Sequence, residues 1–122
     1  MKIFGHPWIE SEKIYSVNSV EEIKNTPSNT LLLIDSLRNN IELVHYCQKN
    51  SLSYILKIEE IKEAIFANTL HAKFLFCSQV LAKELMPIAQ NYLFDAQVIA
   101  YISDEKEIEA LAKANVDGVT FK

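Results

Sequence analysis

Tyr54-Ile-Leu-Lys-Ile-Glu-Glu-Ile-Lys-Glu-Ala-Ile-Phe-Ala-Asn-Thr-Leu-His-Ala-Lys-Phe-Leu-Phe-Cys77 contains one full period of the pattern that runs through this chain. An apolar run, Tyr54-Ile-Leu56, gives way to Ile58, Ile61 and Ile65 at helical spacing, and a second apolar run, Phe74-Leu-Phe76, follows. Glu59, Glu60 and Glu63 crowd the start of the middle segment, where a helix dipole favours acids. The stretch predicts a strand over 53–57, a helix over 59–70 and a strand over 73–77.

Similar runs recur on both sides: Ile14-Tyr-Ser-Val17, Leu31-Leu-Leu-Ile34, Val98-Ile-Ala-Tyr-Ile102 and Gly118-Val-Thr-Phe121. They predict strands over 13–17, 31–35, 97–102 and 117–121. Between them, Ser19 and Glu22 form a capping box for a helix over 20–26. Leu37, Ile41 and Val44 stripe a helix over 37–49, and Leu81, Leu85, Ile88 and Tyr92 one over 79–93. Pro87 lies inside the latter and predicts a kink or break just before it. Ser103 and Asp104 open a last helix reaching about Asn115. Residues 1–12 read as irregular, with Lys2-Ile-Phe4 as a short edge strand at most. Strands alternating with helices predict an α/β fold with a mainly parallel sheet. The expectation is a single three-layer α/β/α domain over residues 1–122, flavodoxin- or receiver-like, with five or six strands and helices on both faces.

The length of 122 residues suits one domain. Apolar residues make up 49% and charged residues 23%, an ordinary globular balance. A net charge of −4 with dispersed lysines argues against nucleic acid as a partner. No apolar run approaches membrane-spanning length and the N-terminus carries no signal-peptide pattern, so neither a membrane association nor export is expected. Two cysteines and no disulfide framework suit the cytoplasm.

Parallel α/β sheets bind ligands outside the carboxyl ends of their strands. The residues there are Asn18, Ser19, Asp35, Ser36, Lys57, Cys77, Ser78, Ser103, Asp104 and Lys122. With only Gly5 and Gly118, the chain has no glycine-rich phosphate loop, and no cofactor is expected. A phosphate could still dock on a helix start at Ser78 or Ser103. Cys77, just ahead of a helix, is the candidate nucleophile, since a helix N-terminus lowers a thiol pKa; a small packed strand residue is the alternative reading. Asp35 is either a base or ligand group, or a cap for the next helix with Ser36. Asp104 carries the same ambiguity. His6, His45 and His71 show no metal-ligand spacing. Phe4, Pro7 and Trp8 could cover a sheet edge or seat a partner.

Two family resemblances attach to these residues. Leu31-Leu-Leu-Ile-Asp35, Ala100-Tyr-Ile-Ser103 and the stretch from Glu107 to Lys122 resemble the receiver domain of response regulators over residues 31–122. The phospho-acceptor would fall near Cys77 or Ser78, neither of them an acid, so this resemblance implies an interaction or regulatory role without phosphorylation. Ser19-Val-Glu-Glu-Ile23, Leu31-Leu-Leu-Ile-Asp-Ser-Leu-Arg38 and Lys73-Phe-Leu-Phe-Cys-Ser78 resemble rhodanese, which would assign sulfur transfer to Cys77.

Three functions are therefore in play. The leading one is a non-catalytic interaction or regulatory domain with a protein partner or a second copy. The others are a thiol enzyme using Cys77, and a binder of phosphate or small molecules at Asp35, Ser36, Ser78, Ser103, Asp104 and Lys122, complete in itself or as a dimer.

Overall fold

A computed structural model describes residues 1–122. Seven strands alternate with five helices: β1 (Lys2–Phe4), β2 (Ile14–Ser16), α1 (Val20–Lys24), β3 (Leu31–Ile34), α2 (Ile41–Lys49), β4 (Tyr54–Lys57), α3 (Ile61–Thr69), β5 (Phe74–Cys77), α4 (Gln79–Asn91), β6 (Gln97–Ile102), α5 (Ile108–Lys113) and β7 (Gly118–Phe121), with a single 3-10 turn, Glu105–Glu107, ahead of α5. The α/β class and the parallel sheet stand as expected. The strand count is seven rather than five or six, because Lys2–Phe4 pairs in parallel with β7, matching Lys2 to Gly118 and Phe4 to Thr120.

The sheet order is β1-β7-β6-β5-β4-β3-β2, and every pairing is parallel. From β2 to β7 each strand is added on the same side of the one before. Right-handed crossovers that never reverse direction place every helix on one face. The layering therefore departs from the expected α/β/α sandwich, and the order lacks the reversal of a flavodoxin-like sheet.

Side-chain packing shows the same arrangement. Ile23, Leu43, Val44, Cys47, Ala64, Ala67, Leu81, Ala82, Leu85, Met86, Ala89 and Leu111, drawn from all five helices, share one core with Leu32, Ile34, Tyr54, Leu56, Leu75, Cys77, Val98, Ala100, Ile102 and Val119. The alternate strand residues form a separate core that contains no helix residue at all: Phe4, Leu31, Ile55, Phe74, Phe76 and Ile99, flanked by Ile14, Leu33 and Tyr101.

An uncovered sheet face can become a core only if the sheet curls onto itself. The Phe4 and Phe74 rings stand edge-on with centroids 5.2 Å apart, although two strands lie between β1 and β5. In a flat sheet those strands would be roughly 14 Å apart, at about 4.8 Å per step. The sheet is an open, barrel-like trough whose edges are β1 and β2. Near the strand amino ends, the Lys2 ammonium meets the Glu12 carboxylate at 2.7 Å, and that hydrogen bond holds the Glu12 carboxyl below the usual carboxylate range.

The glycine-poor sequence closes its helices without glycine. After α2, α3, α4 and α5 the chain turns through left-handed backbone at Ser51, His71, Leu93 and Asn115, with φ between 53° and 68°. In each case the next residue but one from the cap sends its N–H back across the last turn: Leu52 to Cys47, Ala72 to Ala67, Phe94 to Ala89 and Val116 to Leu111, at 2.9–3.1 Å. These are Schellman closures, a motif in which glycine is the usual left-handed residue. Pro87 neither breaks nor ends α4, which is continuous over Gln79–Asn91. Pro87 sits on the exposed side of that helix, where water can satisfy the carbonyl it leaves unbonded.

Candidate functional site

At the carboxyl end of the trough, the residues that continue the inward-facing alternation are polar. Asp35 follows β3, Lys57 ends β4, Tyr101 lies on β6 and Lys122 follows β7. They line one cleft of about 640 Å³ together with Ser36, Asn39, Glu59 and Glu63. This volume lies within the range of small-molecule sites, roughly 300–1,000 Å³. Phe76 packs edge-to-face against Tyr101 at 5.9 Å, giving the cleft an aromatic floor continuous with the inner core.

Within the cleft, Lys57 Nζ lies 3.0 Å from Asp35 Oδ1. The pair is substantially exposed, so it contributes at most about 1 kcal/mol to folding and serves mainly to position the two groups. Lys122 Nζ stands 5.7 Å from the centre of the Tyr101 ring and pairs with no carboxylate. Burial, reinforced by Cys77 and Asp35, pushes the Tyr101 hydroxyl up to about 12, so it stays protonated at neutral pH and can donate a hydrogen bond. Gln79 bonds the main-chain oxygen of Tyr101, and no side chain engages its hydroxyl. Glu63 faces the cleft but is occupied at the start of α3, accepting from the N–H groups of Glu59 at 2.8 Å and Glu60 at 3.2 Å.

Of the residues expected from sequence, Asp35, Ser36 and Lys122 converge here. Asp35 does not cap the next helix: α2 starts at Ile41 and its N-cap is Asn40, whose side chain donates to the Ser36 carbonyl at 2.8 Å. Ser78, Ser103 and Asp104 lie outside the cleft and serve helix starts. Ser78 Oγ accepts from Leu81 N–H at 3.2 Å. Asp104 Oδ1 accepts from Lys106 N–H, while the N–H groups of Asp104 and Ser103 donate to the Glu107 carboxylate and hold it below the usual range.

Cys77 faces the helices and is 1% exposed, packed in the helix-side core. Burial pushes its thiol up to about 12, the opposite of what a nucleophile needs. Cys47 is equally buried and its thiol is pushed up to about 11 for the same reason. We expect neither cysteine to react with a thiol reagent in the native protein within minutes, and both to react once it is unfolded in urea. Rapid modification of Cys77 alone would restore the thiol-enzyme reading.

Lys57 stood among the strand-end residues, but nothing in the local sequence set it above the rest; Tyr101 stood in mid-strand. The signal that joins them to Asp35 is parity along the strands, and parity becomes informative only once the curl of the sheet is known. No cluster of three or more His, Cys, Asp or Glu side chains is placed to hold a metal ion, and no helix is long and apolar enough to cross a membrane. No protein-family model matches the chain, and no curated protein matches it.

Proposed function

We propose that this domain is a non-catalytic binder of a small, polar, acidic molecule, held at the carboxyl-end mouth of the trough. The observation that carries this reading is the convergence of Lys57, Lys122 and the unengaged Tyr101 hydroxyl in one cleft over an aromatic floor. The Lys122 ammonium and the phenolic donor complement phosphate or carboxylate, and the Lys57 ammonium, paired to Asp35, adds a second positive charge to the same cleft. The cleft offers no activated nucleophile, which places the emphasis on binding rather than turnover.

A ligand that binds only the folded state stabilises it by about 2.7 kcal/mol at ~100 times its Kd. A thermal-shift screen of phosphorylated and carboxylated metabolites is expected to find acids that raise Tm by several degrees, with the rise lost when Lys57 and Lys122 are both changed to Met. Absence of any response at millimolar concentrations would reject this reading.

A second reading, docking of a protein partner or a second copy, is favoured by the N-terminal segment. Trp8 is 86% exposed and Ile9 45% exposed, beside a groove of about 500 Å³ that also includes Ile3 and Ile108. Phe4, by contrast, is committed to the inner core. If this surface mediates self-association, sedimentation velocity should show a concentration-dependent dimer in the wild type and a monomer in Trp8→Ala. A monomer at all concentrations in both would leave a second copy out.

A further inference from the structure

The mouth of the trough is chemically two-sided, and its asymmetry says more about the ligand than its charge does. We infer that the ligand is a hydroxylated acid: a small molecule with one phosphate or carboxylate and at least one free hydroxyl a few bonds away. This inference rests on the acid-binding reading above. The strand order separates the two kinds of group. Asp35 and Ser36, after β3, and Asn39 lie toward the β2 edge; Tyr101 on β6 and Lys122 after β7 lie toward the β1 edge. Lys57, on β4, leans to the first side through its 3.0 Å pairing with Asp35.

Each side asks for a different partner. On the β7 side, an ammonium with no carboxylate partner and a protonated phenol are donors, and they suit an acidic group. On the β3 side, Asp35 accepts only, and Lys57 already occupies one of its oxygens. Glu59 and Glu63 also border the cleft. A second acidic group placed there would face like charge. A hydroxyl donates to the remaining Asp35 oxygen while accepting from Ser36 or Asn39. Inorganic phosphate would satisfy one side and be repelled by the other, and an uncharged polyol would leave Lys122 without a counter-charge. Only a molecule with both functions uses the whole cleft.

The test is calorimetric titration of the full chain with inorganic phosphate and with two matched pairs: glycerol 3-phosphate against propyl phosphate, and glycerate against propionate. The pairs separate the phosphate and carboxylate sources of the same chemistry. We expect the hydroxylated member of at least one pair to bind ten-fold or more tightly than its dehydroxylated partner. Asp35→Ala, at an exposed position, should bring that ratio close to one. Lys122→Met should weaken both members by a similar factor and leave the ratio intact. Equal binding within both pairs would overturn the hydroxyl inference and leave acid binding standing. Tighter binding of inorganic phosphate than of any organic acid would also overturn it. No binding by any of the four would remove both. Circular dichroism of each variant establishes that it folds.

Discussion

Phe74→Ala is expected to lower the unfolding free energy by about 3–5 kcal/mol, the range for deleting a buried phenyl ring. A domain of this size has a total stability of about 5–15 kcal/mol, so much of the margin would go. The argument rests on where Phe74 sits. It is 2% exposed, and it belongs to the six-residue inner core that no helix covers. On the helix side a cavity can partly close because a helix shifts on its packed face. Inside the trough every neighbour is fixed by strand pairing, so the void left by the ring stays open. The ring also holds Phe4, edge-on at 5.2 Å, and so ties β1 to the centre of the sheet. Urea denaturation checks the magnitude. Phe66→Ala is the control: at 55% exposure the same truncation should cost no more than about 0.5 kcal/mol. If the two variants lose similar stability, the inner face is not a core.

Gly118→Ala is expected to destabilise by about 1–3 kcal/mol through overpacking, and to do so by loosening one strand. A Cβ at Gly118 would lie 2.5 Å from the Lys2 carbonyl oxygen, 2.6 Å from Ile99 Cδ1 and 2.9 Å from Lys2 Cβ. The Ile99 methyl can rotate away. The Lys2 carbonyl is main chain, held in the parallel pairing of β1 with β7, and relieves the clash only if β1 moves off. Amide exchange in Lys2–Phe4 should therefore rise far more than exchange in β3, β4 or β5. Unchanged protection of β1 together with unchanged stability would refute this account.

Gly118 also illustrates how unevenly the structure can be read from the chain. The elements themselves are legible, because Leu31–Ile34, Tyr54–Leu56 and Phe74–Cys77 are short apolar runs set between amphipathic stretches. The layering is not. Both faces of these strands are apolar, so the sequence pattern shows that each face is buried without showing by what: Leu75 meets the helices, while Phe74 meets Phe4 across the trough. The site was half legible for the same reason. Asp35, Ser36 and Lys122 follow strand ends and could be named from position alone. Tyr101 could not, since its entry into the cleft depends on curl. Cys77 attracted attention at a strand end, but its place in the alternation turns it toward the helices.

The pairing of β1 with β7 has a consequence for how the chain is made. Synthesis is vectorial, so β1 leaves the ribosome well before β7, yet β7 is its only partner in the sheet. Strands β3 to β6 can each pair with the strand made just before them. Phe4 cannot seat against Phe74 and Phe76 in the final register until β7 has emerged. Contacts of such long sequence separation are entropically expensive and form slowly. The aromatic N-terminal segment thus stays unpaired until β7 is available, and closure of the inner core follows the pairing of the strands between them.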